Sequence, residues 1–233
     1  MIADHGLRRG RSVERLRTAD FWLRLFGLAL VIAGYFGPWV DHKTAALTVT
    51  GFELAEFAKF FPQVQGGTVS ITRELFYLPL VTVFILFALL TGRTAVRSAR
   101  LIVSLFAAAL LLVALLPYSI VDGVRQVLTA RSPFTLDPQY TGQLALVVAG
   151  VVFILLTPLV CRLPRRLQST LVVMLALVGA VPALWQFVLL RPLVVALYGG
   201  NEPLGLGWGL VACAAGFVLL LAYSAASWRV GDK

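Results

Sequence analysis

The chain has 233 residues, of which 59% are hydrophobic and only 13% are charged, and its mean hydropathy is +0.88. A water-soluble domain carries about 25% charged and about 45–50% apolar residues, so this composition excludes a soluble globule and predicts an integral membrane protein. The net charge is +9, but the basic residues lie between apolar segments, so we expect no nucleic-acid partner.

Six segments are apolar over the roughly 20 residues that a membrane-crossing helix needs. They are Phe21–Val40, Glu74–Leu90, Leu101–Tyr118, Thr141–Val160, Ser169–Leu190 and Gly205–Trp228. We therefore predict an all-α integral membrane protein whose single membrane domain spans residues 21–228. A basic tail at 1–20 precedes it, and a short tail at 229–233 follows it.

The distribution of basic residues predicts the orientation. Thirteen Arg and Lys residues lie in the two tails and in the short connections after the second and fourth spans, whereas six lie in the longer connections. Cytoplasmic segments are enriched in Lys and Arg, so we expect both termini in the cytoplasm of a bacterial-type cytoplasmic membrane. Aromatic residues at the predicted outer boundary are typical of an interfacial belt; they are Trp39, Tyr77, Tyr118, Tyr140 and Trp208.

The first outer connection contains a helix signature. Thr50-Gly51-Phe52-Glu53 fits a capping box, and Pro62 is expected to end the helix. The residues just before it, 46–50, alternate and are expected to be extended. The candidate contacts with lipid or a partner are the aromatic residues of this segment, Phe52, Phe57, Phe60 and Phe61.

The other outer connections predict similar short interfacial helices. Apolar residues between Ile120 and Leu128 recur at helical spacing, and Pro192 suits the first turn of a helix that ends before Gly199. Such helices either cover the outer ends of the bundle or form a lid or docking face over an outward cavity.

A threefold repeat is one interpretation of the proline pattern. The odd-numbered spans end at proline, at similar intervals: Pro38, Pro117 and Pro192. The repeat units would be the hairpins 21–92, 101–160 and 169–228. The alternative is that any six-span chain repeats with a similar period.

The predicted spans lack chemistry-bearing residues. Away from their ends they contain no Asp, Glu, Lys or His, and the two histidines and two cysteines of the chain are isolated. Intramembrane ionisable groups are usually functional, so their scarcity argues against a proton relay or a metal site. We expect no catalytic residues, no cofactor, no metal and no enzymatic activity.

Two functions fit these features. The first is a non-catalytic structural or accessory subunit that docks a partner in a membrane assembly, the partner being another membrane subunit or a second copy. The second is a transport component that binds an uncharged or lipid-like solute. In size, span count and the Ala29-xxx-Ala33 pair, the chain is similar to the substrate-binding membrane components of energy-coupling-factor transporters. The candidate residues of a solute cavity are Tyr35, Trp185 and Gln186.

Overall fold

The computed structural model describes the backbone of residues 3–42, 47–94, 97–130, 138–197 and 205–230, and it is mostly helical. The α-helices of these ranges are α1 Ala3–Phe36, α2 Gly51–Ala58, α3 Pro62–Gln65, α4 Leu78–Thr94, α5 Arg97–Leu115, α6 Tyr118–Ala130, α7 Thr141–Val160, α8 Arg165–Leu197 and α9 Trp208–Val230. Short 3₁₀ turns cover Arg73–Tyr77 and Pro138–Tyr140, and the strands are β1 Pro38–His42, β2 Leu47–Thr50 and β3 Gly205–Leu206.

Several helices have the length and apolarity of membrane spans. Within the described residues, four helical stretches qualify: Arg73–Gly92, Pro138–Val160, Arg165–Leu197 and Trp208–Ala225. The bent pair formed by α5 and α6 adds a fifth if the two helices are one broken span. The chain is therefore a multi-pass membrane protein with four to five such helices, and the sixth span stays a prediction.

A small antiparallel sheet modifies the predicted all-α fold. Strand β1 lies between β2 and β3, with Val40 opposite Val49 on one side and Leu206 on the other. The expected extended segment before α2 is confirmed as β2. The pairing with β3 joins residues from opposite ends of the chain, and no local sequence pattern reveals such a contact. We call the end of the bundle that carries this sheet the sheet end.

Helix α4 is the centre of the bundle. It packs against α1, α5, α7 and α8, and 78% of the residues in its apolar window are buried, against 28–33% in the other three candidate spans. A helix surrounded by protein is apolar on all sides, as the sequence of α4 is. Large side chains fill the interior around it; the fully buried ones include Tyr35, Trp39, Phe76, Leu80, Leu86, Leu111, Ile154 and Phe217.

Helices α1 and α9 approach each other through glycines. A Cβ atom added at Gly34 would lie 2.2 Å from the backbone nitrogen of Cys213, and one at Gly209 would lie 2.4 Å from the carbonyl carbon of Gly37. Backbones therefore touch directly, which small residues permit in membrane helices. The small pair Ala29 and Ala33 is exposed and takes no part in this contact.

Helix α8 corrects the prediction for the third outer connection. It runs without interruption through Pro182 and Pro192 to Leu197, so Pro192 does not begin a separate helix. Membrane helices tolerate proline where neighbouring elements pack around it, and the adjacent Leu190 and Val194 are buried. The predicted stop at 199–200 lies outside the described residues.

The other two short helices are present. Helix α2 begins at the predicted capping box, and α6 covers the predicted amphipathic segment. The predicted end of the first helix is wrong, because α2 already ends at Ala58 and Pro62 instead occupies the first turn of α3.

Candidate functional site

A group of interacting polar side chains lies at the sheet end, where α2, the turn at 73–77 and the start of α7 meet. We call it the polar cluster, and its members are Glu56, Lys59, Arg73, Glu74, Tyr77 and Gln143. It combines two acids, two bases and two neutral polar groups, all outside the apolar middle of the bundle. It is the candidate functional site because charged side chains contact each other here across several elements.

The start of α2 is fixed by a capping box, which helps to position the cluster residues Glu56 and Lys59 in and just after this helix. The backbone N–H of Glu53 donates to Oγ1 of Thr50 at 3.2 Å, and the N–H of Thr50 donates to Oε2 of Glu53 at 2.9 Å. This reciprocal pair satisfies two donors at the helix start. Leu54 and Ala58 then face the core, and this orientation directs Glu56 towards the turn at 73–77.

Glu56 accepts hydrogen bonds through both carboxylate oxygens. Its Oε1 accepts from the Tyr77 hydroxyl at 3.0 Å, and its Oε2 accepts from Nζ of Lys59 at 2.5 Å. Burial alone raises the pKa of Glu56, but these bonds and the positive charges of Lys59 and Arg73 outweigh it and lower the pKa overall. Glu56 is therefore held as a carboxylate at neutral pH.

Arg73 connects the cluster to α7. Its Nη2 donates to Oε1 of Gln143 at 3.2 Å, and its guanidinium carbon lies 5.2 Å from the centre of the Tyr140 ring. Its Nη1 lies 3.9 Å from Oε1 of Glu56, and its Nε lies 3.5 Å from Oε1 of Glu74. The side chain is only 12% exposed, so its positive charge is balanced by two carboxylates in a partly buried place.

Gln143 carries the connection further. Its Nε2 donates at 2.8 Å to the carbonyl oxygen of Leu115, at the end of α5. A carbonyl in the last turn of a helix has no partner within that helix, so this bond satisfies a group that would otherwise be unpaired. The polar cluster thereby links α2, the turn at 73–77, α7 and α5.

The chemistry of the cluster favours a structural role. Its two acids and two bases cancel, so it supplies no net field to steer a charged substrate. In the described part of the chain, no three His, Cys, Asp or Glu side chains are grouped so that they could hold a metal. The polar atoms bond mainly to each other, as in a tie between helices.

The three predicted cavity residues lie in different environments. Tyr35 is fully buried, and its hydroxyl has no hydrogen-bond partner within the described residues. Gln186 is also buried, and its Oε1 accepts from the backbone N–H of Thr72 at 3.1 Å. Trp185 is 59% exposed and faces away from the interior. Trp39 packs edge-to-face on Tyr35 and Phe187 at the sheet end.

The four predicted contact residues also separate. Phe61 is buried and stacks edge-to-face on Phe57 with 5.3 Å between ring centres. Phe52 is partly buried against the core, with its ring centre 6.3 Å from that of Phe36 and 5.9 Å from that of Tyr77. Phe60 is 68% exposed, with Nζ of Lys59 at 5.4 Å from its ring. Of the four, Phe60 alone presents most of its ring outside the protein.

The sequence did not predict that the residues of the polar cluster contact each other. Glu56 and Glu74 were recognisable only as two acids of the outer connections, and Gln143 gave no local motif. A usable signal was present, because Gln143 is an amide in the first turn of an apolar helix, where it needs a partner.

No protein-family model matches the chain, and no curated protein or solved structure matches it significantly.

Proposed function

We propose that the chain is a non-catalytic subunit of a membrane assembly and that it docks a partner through its sheet end. The observation that carries the proposal is the combination of an interior packed with large side chains around α4 and a polar cluster that neutralises itself. The first leaves little space for a transported solute. The second holds elements together and leaves no reactive group poised for chemistry.

The proposed topology has six spans and cytoplasmic termini in a bacterial-type cytoplasmic membrane. Four helical stretches are long and apolar enough by themselves to be spans. The two further spans that we propose are the apolar part of α1, Phe21–Phe36, and helix α5. The sheet end then faces outwards, because the arginine-rich connections lie at the other end of the bundle. Exposed Trp22 near the middle of α1 and exposed Trp208 at the sheet end suit the two interfaces.

Single cysteines test this topology. Gln63→Cys and Leu167→Cys, made in a background with Cys161→Ala and Cys213→Ala, place exposed thiols at the two ends. We expect a membrane-impermeant maleimide to label residue 63 in intact cells and residue 167 only after lysis. Labelling of both, or of 167 alone, contradicts the proposed orientation.

Phe60 is the proposed anchor of the docking face. An exposed aromatic ring beside a lysine suits the centre of an interface, where truncation of such a residue costs more than about 1 kcal/mol. Leu206 adds exposed apolar area at the same end. These residues cannot stabilise the isolated chain by burial, and so support a contact with something outside it.

Purification in mild detergent from native expression levels, followed by native mass spectrometry, tests the docking function. We expect a stoichiometric larger complex, and we expect Phe60→Ala to reduce its yield severalfold while Gln63→Ala, an exposed neighbour, leaves it unchanged. A chain found alone overturns the subunit proposal, whereas a homo-oligomer that Phe60→Ala disrupts identifies the partner as a second copy.

The alternative proposal is a transport component for an uncharged or lipid-like solute. What supports it is the Tyr35 hydroxyl, which is buried without a partner in the described residues. Buried polar groups normally have a partner, and a bound solute is one way to supply it. A retained small molecule or lipid in the same mass spectrum, lost in Tyr35→Phe, favours this alternative.

A further inference from the structure

Helix α6 does not cover the bundle. Its axis over 120–129 is turned by 89° from the axis of α5 over 99–115. Each residue from Val124 to Thr129 is exposed, and Gly123 is the one buried residue among 120–129. The helix therefore makes little contact with the rest of the described chain and projects sideways from the sheet end of α5.

The projecting helix is strongly two-sided. With 3.6 residues per turn, its apolar residues fall within a sector of about 120°. They are Ile120, Val121, Val124, Val127 and Leu128. The opposite side carries Asp122, Arg125, Gln126 and Thr129. Leu128 is 78% exposed and Val121 is 51% exposed, so nothing in the described chain covers the apolar side.

We propose that the apolar side of α6 lies in the lipid surface at the sheet end, with the helix parallel to the membrane plane. The 89° turn is the geometry that this requires of a helix following a membrane span. The inference rests on the proposed passage of α5 across the bilayer and is independent of the docking function. An amphipathic helix in this position buries its apolar side at the boundary between headgroups and acyl chains.

Continuity with α5 identifies lipid as the occupant. Exposed apolar residues cover one side of α5 up to its last turns, where Leu112 is 38% and Val113 is 86% exposed. If α5 is a span, this strip contacts acyl chains, and the apolar side of α6 begins within two turns of its end. Lipid that covers Val113 therefore lies close to the start of α6, which begins three residues after α5 ends.

The charge of α6 predicts which lipids it accepts. Asp122 and Arg125 are the ionisable residues within the described 120–129 segment, and their charges cancel. The Asp122 carboxylate accepts a hydrogen bond from Nε2 of Gln126 at 2.8 Å, so the polar side is satisfied locally. Binding should depend on apolar burial and be the same on neutral and anionic lipid.

Spin labels on the full chain test the proposal. In the Cys161→Ala, Cys213→Ala background, we would place single labels on the apolar side (Val124→Cys, Leu128→Cys), on the polar side (Arg125→Cys, Thr129→Cys) and on α5 (Val113→Cys). The chain is reconstituted in phosphatidylcholine vesicles and, separately, in an equimolar mixture with phosphatidylglycerol. Collision rates with oxygen, which concentrates in hydrocarbon, and with a water-soluble nickel chelate report the depth of each label.

The expected result is a severalfold higher oxygen-to-nickel ratio at 124, 128 and 113 than at 125 and 129, equal in both lipids. If 113 is in hydrocarbon while 124 and 128 are accessible to nickel, α5 is a span and the lipid proposal for α6 is wrong. If the labels at 124 and 128 are shielded from both oxygen and nickel, protein covers the apolar side of α6. The lipid proposal is then wrong, and a partner or a second copy is the occupant. A nickel-accessible label at 113 removes the span itself and the proposal with it.

Discussion

The indole nitrogen of Trp39 donates a hydrogen bond of 3.0 Å to the carbonyl oxygen of Gly34. Helix α1 ends at Phe36, so this carbonyl is one of the last four and has no partner within the helix. The ring is fully buried and packs edge-to-face on Phe187 of α8. Trp39 therefore satisfies a carbonyl in the last turn of α1 and joins α1 to α8.

Trp39→Phe should destabilise the fold, because it removes this bond and part of a fully buried ring. The phenyl ring keeps most of the apolar contact, but the Gly34 carbonyl remains buried without its donor, which costs about 1–3 kcal/mol. We expect a lower midpoint in thermal denaturation of the detergent-solubilised chain, followed by size-exclusion chromatography. Trp185→Phe is the matched control, because that ring is 59% exposed. Equal midpoints for the two variants would contradict this role of Trp39.

Gly34→Ala tests the close contact between α1 and α9. The added Cβ would lie 2.2 Å from the backbone nitrogen of Cys213, so the two helices must move apart. Overpacking of this kind costs about 1–3 kcal/mol. Gly27→Ala on the same helix is the control, since its Cβ meets its nearest atoms at 3.3 Å. We expect a clear fall in the thermal midpoint for the first variant and little change, or a gain from helix propensity, for the second.

Arg73→Gln should weaken the sheet end. The change leaves the Glu56 and Glu74 carboxylates without their shared cation and removes the charged donor to Gln143. A hydrogen bond to a charged group contributes about 1.5–3 kcal/mol, and we expect a loss of this order in thermal or denaturant unfolding. Arg73→Lys keeps the charge but not the planar fork, so its loss should be intermediate. A fully stable Arg73→Gln chain would show that the cluster is not a structural tie.

The polar cluster also predicts a pH dependence. The pKa of Glu56 is lowered in the fold from its ordinary value of 4.5. Its carboxylate therefore stabilises the folded chain above that value, and this contribution is lost as the pH falls below about 4.5 and through the lower folded pKa. Thermal midpoints measured from pH 7 down to pH 3 should fall less steeply for Glu56→Gln than for the native chain.

Local patterns were sufficient for most helices. The apolar runs of α4, α5, α7 and α9 contain their own length signal, and the Thr50–Glu53 capping box is formed by residues three apart. Pro192 misled the prediction because a proline that suits a helix start also fits inside a packed membrane helix.

Contacts between distant residues were beyond the sequence. Trp39 and Tyr77 were predicted as belt residues at the membrane boundary, yet both are buried, because the sheet and α2 cover them. The bond between Arg73 and Gln143 joins residues 70 positions apart. No sequence pattern around either residue indicates that the two are in contact. The threefold repeat and the function stay predictions.

The pairing of α1 with α9 has a consequence for how the chain is made. The ribosome synthesises α1 first and α9 last among the described helices, and yet their glycine surfaces fit each other. Until α9 is synthesised, the surface of α1 at Gly34 lacks the helix that packs on it in the folded chain. Helix α4 likewise lacks its neighbours α7 and α8 until they are made. Folding of the bundle is therefore completed by contact between the first and last described helices. A nascent chain that stalls before α9 leaves the glycine surface of α1 uncovered.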